Sequence, residues 1–413
     1  MRITTAGSAP LGLEQLDLFD PRFYAEGDPH PVWAQLRAHA PLHHQVLPDG
    51  RAFFSVTRYA DACQVLGDHR RFTSERGSLL VQLGRPEAAA GQMLVATDPP
   101  RHSELRRPLN KMFAGSALAA SEGRIRQAVR AVLSPASQGS ATWDLAVQAA
   151  MLPMAVAGLL MGLPEQDWAR LVQWTSMAAA PEDPDFRLAS VGATLAVAHH
   201  QLFQYFSEQV KQRRGAEGED AIGLLMTMRA GQEPLSTEEI VVNCYSLLLG
   251  ANATTPHTVA GTVLALIEHP DQFEAVREDR RLIPGLVEEG LRWTSPANSF
   301  LRYAVEDVEL SGGVVPAGSA VAVWVGSANR DEEVFCDPYR FDVTRADNRH
   351  IAFGFGPHYC LGAAVARLTL RLFFEEVFDS IAEFRLAAEP RHLVSNFVAG
   401  LARLPVHTRS RSS

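Results

Sequence analysis

Phe353-Gly354-Phe355-Gly356-Pro357-His358-Tyr359-Cys360-Leu361-Gly362 runs directly into the apolar stretch Ala363-Ala364-Val365-Ala366-Arg367-Leu368. The glycines and the proline predict a tight turn. Glycine reaches φ > 0 without a Cβ clash, so such a turn lets the backbone approach a flat object closely. The apolar stretch predicts a helix that begins beside Cys360. The partial positive charge and unpaired N–H groups of a helix start favour a thiolate over a thiol. Cys360 as an ordinary small apolar loop residue is the simpler alternative. That alternative leaves Phe353, Gly354, Gly356, His358 and Gly362 unexplained.

A thiolate held in a shallow, turn-built cradle is what an axial ligand to haem iron requires. The stretch resembles the haem-binding loop of the cytochrome P-450 family, Phe-Gly-x-Gly-x-His-x-Cys-x-Gly. Phe353, Gly354, Gly356, His358, Cys360 and Gly362 all fit that pattern at its fixed spacing. The resemblance implies a mainly α fold with a small β region, the triangular helical haem protein of that family. It also implies haem b with Cys360 as the iron ligand, and a cradle that includes Phe353, Gly354 and His358.

Length alone would allow two or three domains in 413 residues. The resemblance implies one domain over 17–407, with an N-terminal arm over 1–16 and a frayed polar tail over 408–413. A net charge of −9 does not suggest nucleic-acid binding. Cys63, Cys244, Cys336 and Cys360 show neither CxxC spacing nor framework density, which places the chain in a reducing cytoplasm. No signal peptide is visible at the N-terminus. The best candidate span, Ala149 to Leu163, carries Pro153, Gly158 and Gly162. It also falls short of the roughly 20 residues that cross a bilayer, so a buried core helix is expected and no membrane insertion.

Four further segments carry the resemblance. In Asp98-Pro99-Pro100-Arg101-His102-Ser103-Glu104-Leu105-Arg106, His102 and Arg106 fall at i and i+4 on one helical face. A solvated basic face is one reading; the family's Asp-Pro-Pro-x-His-x-x-x-Arg segment implies haem-propionate binding instead. Ser236 and Glu239 form a capping box that opens a long helix through Gly250-Ala251-Asn252-Ala253-Thr254-Thr255-Pro256 to Ile267. Pro256 cannot donate to the Asn252 carbonyl, and Thr254 can bond back to Gly250, so a kink is expected there. Small residues at Gly250 and Ala251 let a flat cofactor approach. The segment is similar to the family's oxygen-binding helix, with Ala253 where Asp or Glu is usual. The resemblance makes Thr254 the organiser of a proton relay, with water, the Asn252 amide or the substrate completing it. Glu289 and Arg292 with Arg340 imply a buried structural network, and Arg302 implies a third propionate ligand.

The pocket is expected to be lined by Val81, Val95, Leu248, Ala251, Phe300, Phe397 and Val398, hence to take a mostly apolar small molecule. A secondary-metabolite intermediate fits that description. The implied reaction is hydroxylation or epoxidation with O2. Oxidative bond or ring formation, peroxide-driven oxidation and non-catalytic haem ligand binding are the alternatives. No flavin or iron–sulfur pattern occurs in the chain, so electrons from NAD(P)H must arrive through a ferredoxin or equivalent donor and its reductase. Arg107, Lys111, Arg367 and Arg371 are the expected docking cations.

Overall fold

The computed structural model describes residues 16–411 apart from 114–117, 120, 137–139 and 216–217. The expected N-terminal arm thus lies outside the described residues except for Leu16, which packs on a hydrophobic cluster. Helix starts are fixed by short polar side chains that accept otherwise unpaired N–H groups. Asp28, Asp144, Ser190 and Asp220 do this for Pro29–His39, Leu145–Ala149, Val191–Gln212 and Ala221–Thr227. Each such cap contributes about 1 kcal/mol. The capping box at Ser236 and Glu239 is complete, with both reciprocal bonds formed at 3.1 and 2.8 Å.

That box opens Thr237–Asn252, and a second helix, Thr255–Glu268, continues beyond a break at Ala253 and Thr254. Pro256 withholds its N–H from the Asn252 carbonyl. Thr254 leaves helical geometry at φ −122°, ψ −47°. Its hydroxyl faces the Gly250 carbonyl at 3.5 Å. The two halves join two cores. Ile240, Val241, Cys244 and Leu248 pack with Leu94, Met154, Leu202 and Phe206. Val259, Val263 and Leu264 pack with Leu286, Phe373 and Phe374.

A five-stranded sheet flanks the helices in the order Leu42–Val46, Ala52–Val56, Ala320–Trp324, Ser299–Ala304, Phe72–Thr73. Its first hairpin turns at Gly50, φ +85°. Ala320–Trp324 runs parallel to Ala52–Val56 and antiparallel to Ser299–Ala304. A smaller sheet corrects the expected frayed tail. Pro405–Ser410 lies between Ile381–Leu386 and Ser140–Asp144, antiparallel to both. Val406 and Thr408 point inward at period two, and the Thr408 hydroxyl accepts from Trp143 Nε1 at 3.0 Å. Polar composition hid this strand, because its partner strands are distant or irregular in sequence. Ala149–Leu163 is the expected buried helical region, split into Leu145–Ala149 and Met151–Met161. No helix among the described residues is long and apolar enough to cross a membrane.

The helix Ile283–Thr294 carries a fully buried ion pair. Arg292 binds both carboxylate oxygens of Glu289, at 2.7 and 2.8 Å. Its remaining donors reach the carbonyls of Asn329, Pro338 and Arg340. The second guanidinium on Glu289 belongs to Arg345, at 3.2 Å, and not to the expected Arg340. Arg340 is exposed, and its carbonyl accepts from Arg292 and Arg345. The Asn329 amide then receives Ile351 N–H at 2.8 Å, which anchors the chain entering the cysteine loop.

Removing one partner of a buried pair leaves an uncompensated charge, so Glu289→Gln is expected to cost about 3–5 kcal/mol in urea unfolding. Arg340→Ala should stay within about 0.5 kcal/mol of the wild type. Arg345→Ala should fall between the two, and equal losses at 340 and 345 would contradict the assignment.

Candidate cofactor and active site

Gly354 and Gly356 stand at φ +74° and +72°. A Cβ on Gly356 would lie 2.6 Å from Gly67 Cα and 2.9 Å from the Leu66 carbonyl oxygen, so only glycine permits this approach. Gly356–His358 forms a single 3₁₀ turn. Cys360 N–H then donates to the Phe353 carbonyl at 2.8 Å and closes the loop. The helix Ala363–Ser380 follows with Gly362 at its cap. Burial pushes the Cys360 thiol up, opposed by the Gly362 N–H and by the charges of Arg106 and Arg367. A metal cation at the sulfur would favour the thiolate against that burial.

Beside this loop, cationic and donor groups converge with little to balance them. His102 lies buried on Arg101–Met112, its ring 4.3 Å from that of His358. Its Nε2 has no protein partner. Burial holds His102 down at about 4 and His358 at about 2, with Arg302 and Arg106 adding to the shift at both rings. Arg302 is buried on its strand and bonds only the Leu301 carbonyl, at 2.8 Å. No carboxylate among the described residues lies within ion-pair distance of it. Burial lowers Arg302 to about 10, so it keeps its charge at neutral pH. Asp98 is the nearby acid, and it is already engaged by Ser74 and Thr73. Ser74 Oγ meets His358 Nε2 at 3.2 Å. Neither Ser74 nor Asp98 was assigned a role from sequence, although Asp98 opens the segment that carries His102.

Arg106, also an expected propionate ligand, lies on the same helix as His102. Its guanidinium bonds the Pro357 carbonyl at 3.1 Å and the Tyr359 carbonyl, so it ties its helix to the cysteine loop. Those carbonyls end a one-turn helix that has no later N–H to offer them.

In the last turn of Thr237–Asn252, Gly250 is exposed, and a Cβ there would meet nothing within 4 Å. Ala251 beside it is half-buried, and Thr254 lies one turn on. Asn252 does not join them. Its amide points into the core, donating to Met154 Sδ at 3.4 Å and Thr175 Oγ1 at 3.3 Å. A kink after Asn252 leaves that side chain on the far face, which corrects its expected place in the relay. Ala253 is buried with Ala179, Ala180, Leu393 and Val398.

The expected pocket residues divide. Val398 is buried at a bridge to Ala297, with Phe397 beside it. Val81 and Phe300 are half-buried, and Val95 is exposed. Leu248 is spent inside the core with Cys244 and Phe206, so the structure does not offer its side chain to a pocket. Two expected docking cations are also engaged. Arg367 chelates Glu288 and bonds the Tyr359 hydroxyl, and Arg371 pairs with Glu375 and Glu122. Arg107 and Lys111 are exposed without such partners among the described residues.

The residues present fit an iron porphyrin: one cysteine in a glycine cradle, an open glycine face, and an unbalanced buried cation beside two histidines, where two carboxylates would be at home. The cytochrome P450 family model matches residues 179–396. Cytochrome P450 NovI of Streptomyces niveus is 32% identical over 403 residues, 96% of this chain and 97% of that one. Vitamin D(3) 25-hydroxylase of Pseudonocardia autotrophica is 33% identical over 420 residues, covering both chains completely. The crystal structure of P450 OxyD, involved in the biosynthesis of vancomycin-type antibiotics, superimposes with TM-score 0.86 at 31% identity, over 96% of this chain and all of the other. Sequence motifs, cradle geometry and relatives agree, and the chain belongs to the cytochrome P450 family of monooxygenases.

Proposed function

We propose that this chain is a haem-thiolate monooxygenase that hydroxylates or epoxidises a mostly apolar small molecule, a secondary-metabolite intermediate. O2 is the oxidant, and electrons pass from NAD(P)H through a separate ferredoxin-type donor and its reductase. The observation that carries this reading is Arg302, a buried cation without a carboxylate, set beside His102, His358 and the Cys360 loop. A relative involved in antibiotic biosynthesis and one named for hydroxylating vitamin D3 support the substrate class.

Haem held here would supply an iron centre that activates O2 once reduced. Cys360 Sγ is the residue that would hold the iron and donate electron density to it. Arg302, His102 and His358 would hold the propionates: a charged Arg suits a carboxylate, and the orphaned His102 Nε2 could donate to one. Gly250 and Ala251 allow close approach on the opposite face, with Phe353 and Gly354 shaping the loop side. The Thr254 hydroxyl, which faces the Gly250 carbonyl only at 3.5 Å across the helix break, would be the donor on the oxygen side of the site. Val81, Val95, Phe300, Phe397 and Val398 exclude water and orient the substrate. Arg107, Lys111 and Arg70 form the exposed basic surface for the acidic electron donor. Arg70 and Arg107 line one open groove with Asp98 and Glu104.

Reduced wild-type protein is expected to show the long-wavelength carbon monoxide band of thiolate ligation, and Cys360→Ala should abolish it. Cys244 is buried, and Cys63 and Cys336 sit in no comparable loop, so a retained band would refute the ligand assignment.

Arg302→Met should raise the stability of the haem-free protein by about 1–2 kcal/mol, since a buried unpaired cation is replaced by an apolar side chain. The same variant should lose haem to an acceptor protein at least about tenfold faster, the effect of one charge-assisted hydrogen bond. Unchanged haem release would remove Arg302 from the propionate site.

Neutralising Arg107 and Lys111 together should slow reduction by the donor roughly tenfold at low ionic strength. That difference should vanish in high salt as the charges are screened. A salt-independent rate in the wild type contradicts this docking surface.

A further inference from the structure

Two consecutive carboxylates on the helix Ile283–Thr294 serve different networks. Glu289 holds Arg292 and Arg345, as described above. Glu288 pairs instead with Arg367, which lies in the second turn of Ala363–Ser380, seven residues after Cys360. Arg367 Nε and one terminal nitrogen donate to the two Glu288 carboxylate oxygens, at 2.7 and 2.8 Å. The other terminal nitrogen donates to the Tyr359 hydroxyl at 3.0 Å. The guanidinium carbon stands 4.6 Å from the centre of the Phe353 ring, at cation–π distance. His350 completes the group. Its Nδ1 accepts the Ala352 N–H at 3.3 Å, so Nε2 carries the proton and donates to Glu288 Oε2 at 3.1 Å.

Glu288 and Arg367 are each about a third exposed, and an ion pair of that kind adds little to stability. The position of the pair is more informative than its strength. Arg367 touches both flanks of the cysteine loop, Phe353 and Tyr359, and the Phe353 carbonyl takes the Cys360 N–H at 2.8 Å. All the polar hydrogen-bonding directions of the guanidinium are thus fixed beside the loop that presents the sulfur. Burial raises the Cys360 thiol, and the charge of Arg367 opposes it. Glu288 is the charge that balances Arg367 in turn. Burial alone would raise the Glu288 carboxyl, but Arg367 and His350 outweigh it and hold the group at about 2, so it is ionised at neutral pH.

We propose that Glu288 is a positioning residue for electron uptake: it fixes and balances the Arg367 guanidinium beside Cys360, and so sets the reduction potential of iron held by that sulfur. The proposal rests on the haem-thiolate reading above. The step concerned moves one electron from the external donor to ferric iron and gives ferrous iron; Glu288 and Arg367 exchange neither proton nor electron. Ferric iron carries one more positive charge than ferrous iron. A nearby anion therefore favours the ferric state and a nearby cation the ferrous state.

Charge and scaffolding predict different patterns in a redox titration of the purified haem-loaded protein. Glu288→Gln leaves Arg367 unbalanced and should raise the potential. The expected change is about tenfold in the reduction equilibrium, which is about 59 mV for a one-electron couple. Arg367→Met keeps an unbranched side chain over Phe353, leaves Glu288 unbalanced, and should lower the potential by a similar amount. The double variant Glu288→Gln/Arg367→Met removes both charges and should return close to the wild type. The infrared C–O stretch of the reduced carbon monoxide complex reads the same effect without turnover. It should rise in Glu288→Gln, where the sulfur donates less to the iron, and fall in Arg367→Met. A purely structural pair gives shifts of one sign in both single variants, since both break the same contact; that result, or unchanged potentials, overturns the proposal. Arg367→Lys gives a comparison that does not depend on Glu288→Gln folding. It keeps the charge without the two-pronged contact, so its potential should stay nearer the wild type than that of Arg367→Met, and equal shifts in the two overturn the proposal. Absence of the long-wavelength carbon monoxide band from the wild type removes the haem-thiolate reading beneath it, whereas a normal band with shifts of one sign removes this proposal alone.

Discussion

The buried pair Glu289–Arg292 is the contact on which the placement of the site depends. Neither residue is exposed, and both are saturated: Glu289 by Arg292, Arg345, Asn348 and the Asp342 N–H, Arg292 by three carbonyls besides its partner. Such a cluster adds little net stability over an apolar replacement, because two desolvated charges only offset their own penalty. Its effect is geometric. It joins the helix Ile283–Thr294 to the segment around Pro338–Arg345 and to Asn329, which in turn holds Ile351 at the entrance of the cysteine loop. The position of Cys360 is thus inherited from a charge network on another element.

The site repeats the logic with the balance left open. Glu289 has two guanidinium partners, whereas Arg302 has no carboxylate partner among the described residues, and His102 keeps an unpaired nitrogen. Where the fold needs rigidity, charges are satisfied within the chain. Beside the cysteine loop, donors are left that a dianionic ligand would complete. This difference separates Arg292 from Arg302 more clearly than burial does, since both are buried.

The same distinction explains what was legible in the sequence. The loop around Cys360, the capping box at Ser236 and the break before Pro256 are local: their cause lies within a few residues, and each was readable. Arg345, Ser74 and the strand Pro405–Ser410 were not, because their roles depend on partners far along the chain. Arg340 and Arg345 are chemically identical and five residues apart, and only the folded path of the chain decides which one meets Glu289. Asn252 failed as a relay candidate for a related reason. Its type suited the task, but the kink turned its amide toward Met154 and Thr175. Spacing specifies which residues are neighbours along a helix; it does not specify a side chain's face beyond a break.

Ala253, His257 and Gly400 show how a substitution in one element constrains another. A carboxylate at 253 would have to be buried beside Ala179, Ala180 and Val398, where desolvation would disfavour its charge. One turn along the helix, the His257 imidazole projects toward the C-terminal turn. Only a residue without a Cβ fits opposite it, and Gly400 supplies one. The turn that carries Phe397 and Val398 into the apolar layer is therefore also the turn that makes room for His257. The packing of His257 and the apolar layer around Phe397 and Val398 are thus set by one turn, so a change of side-chain size at 397 or 398 acts on the helix break as well.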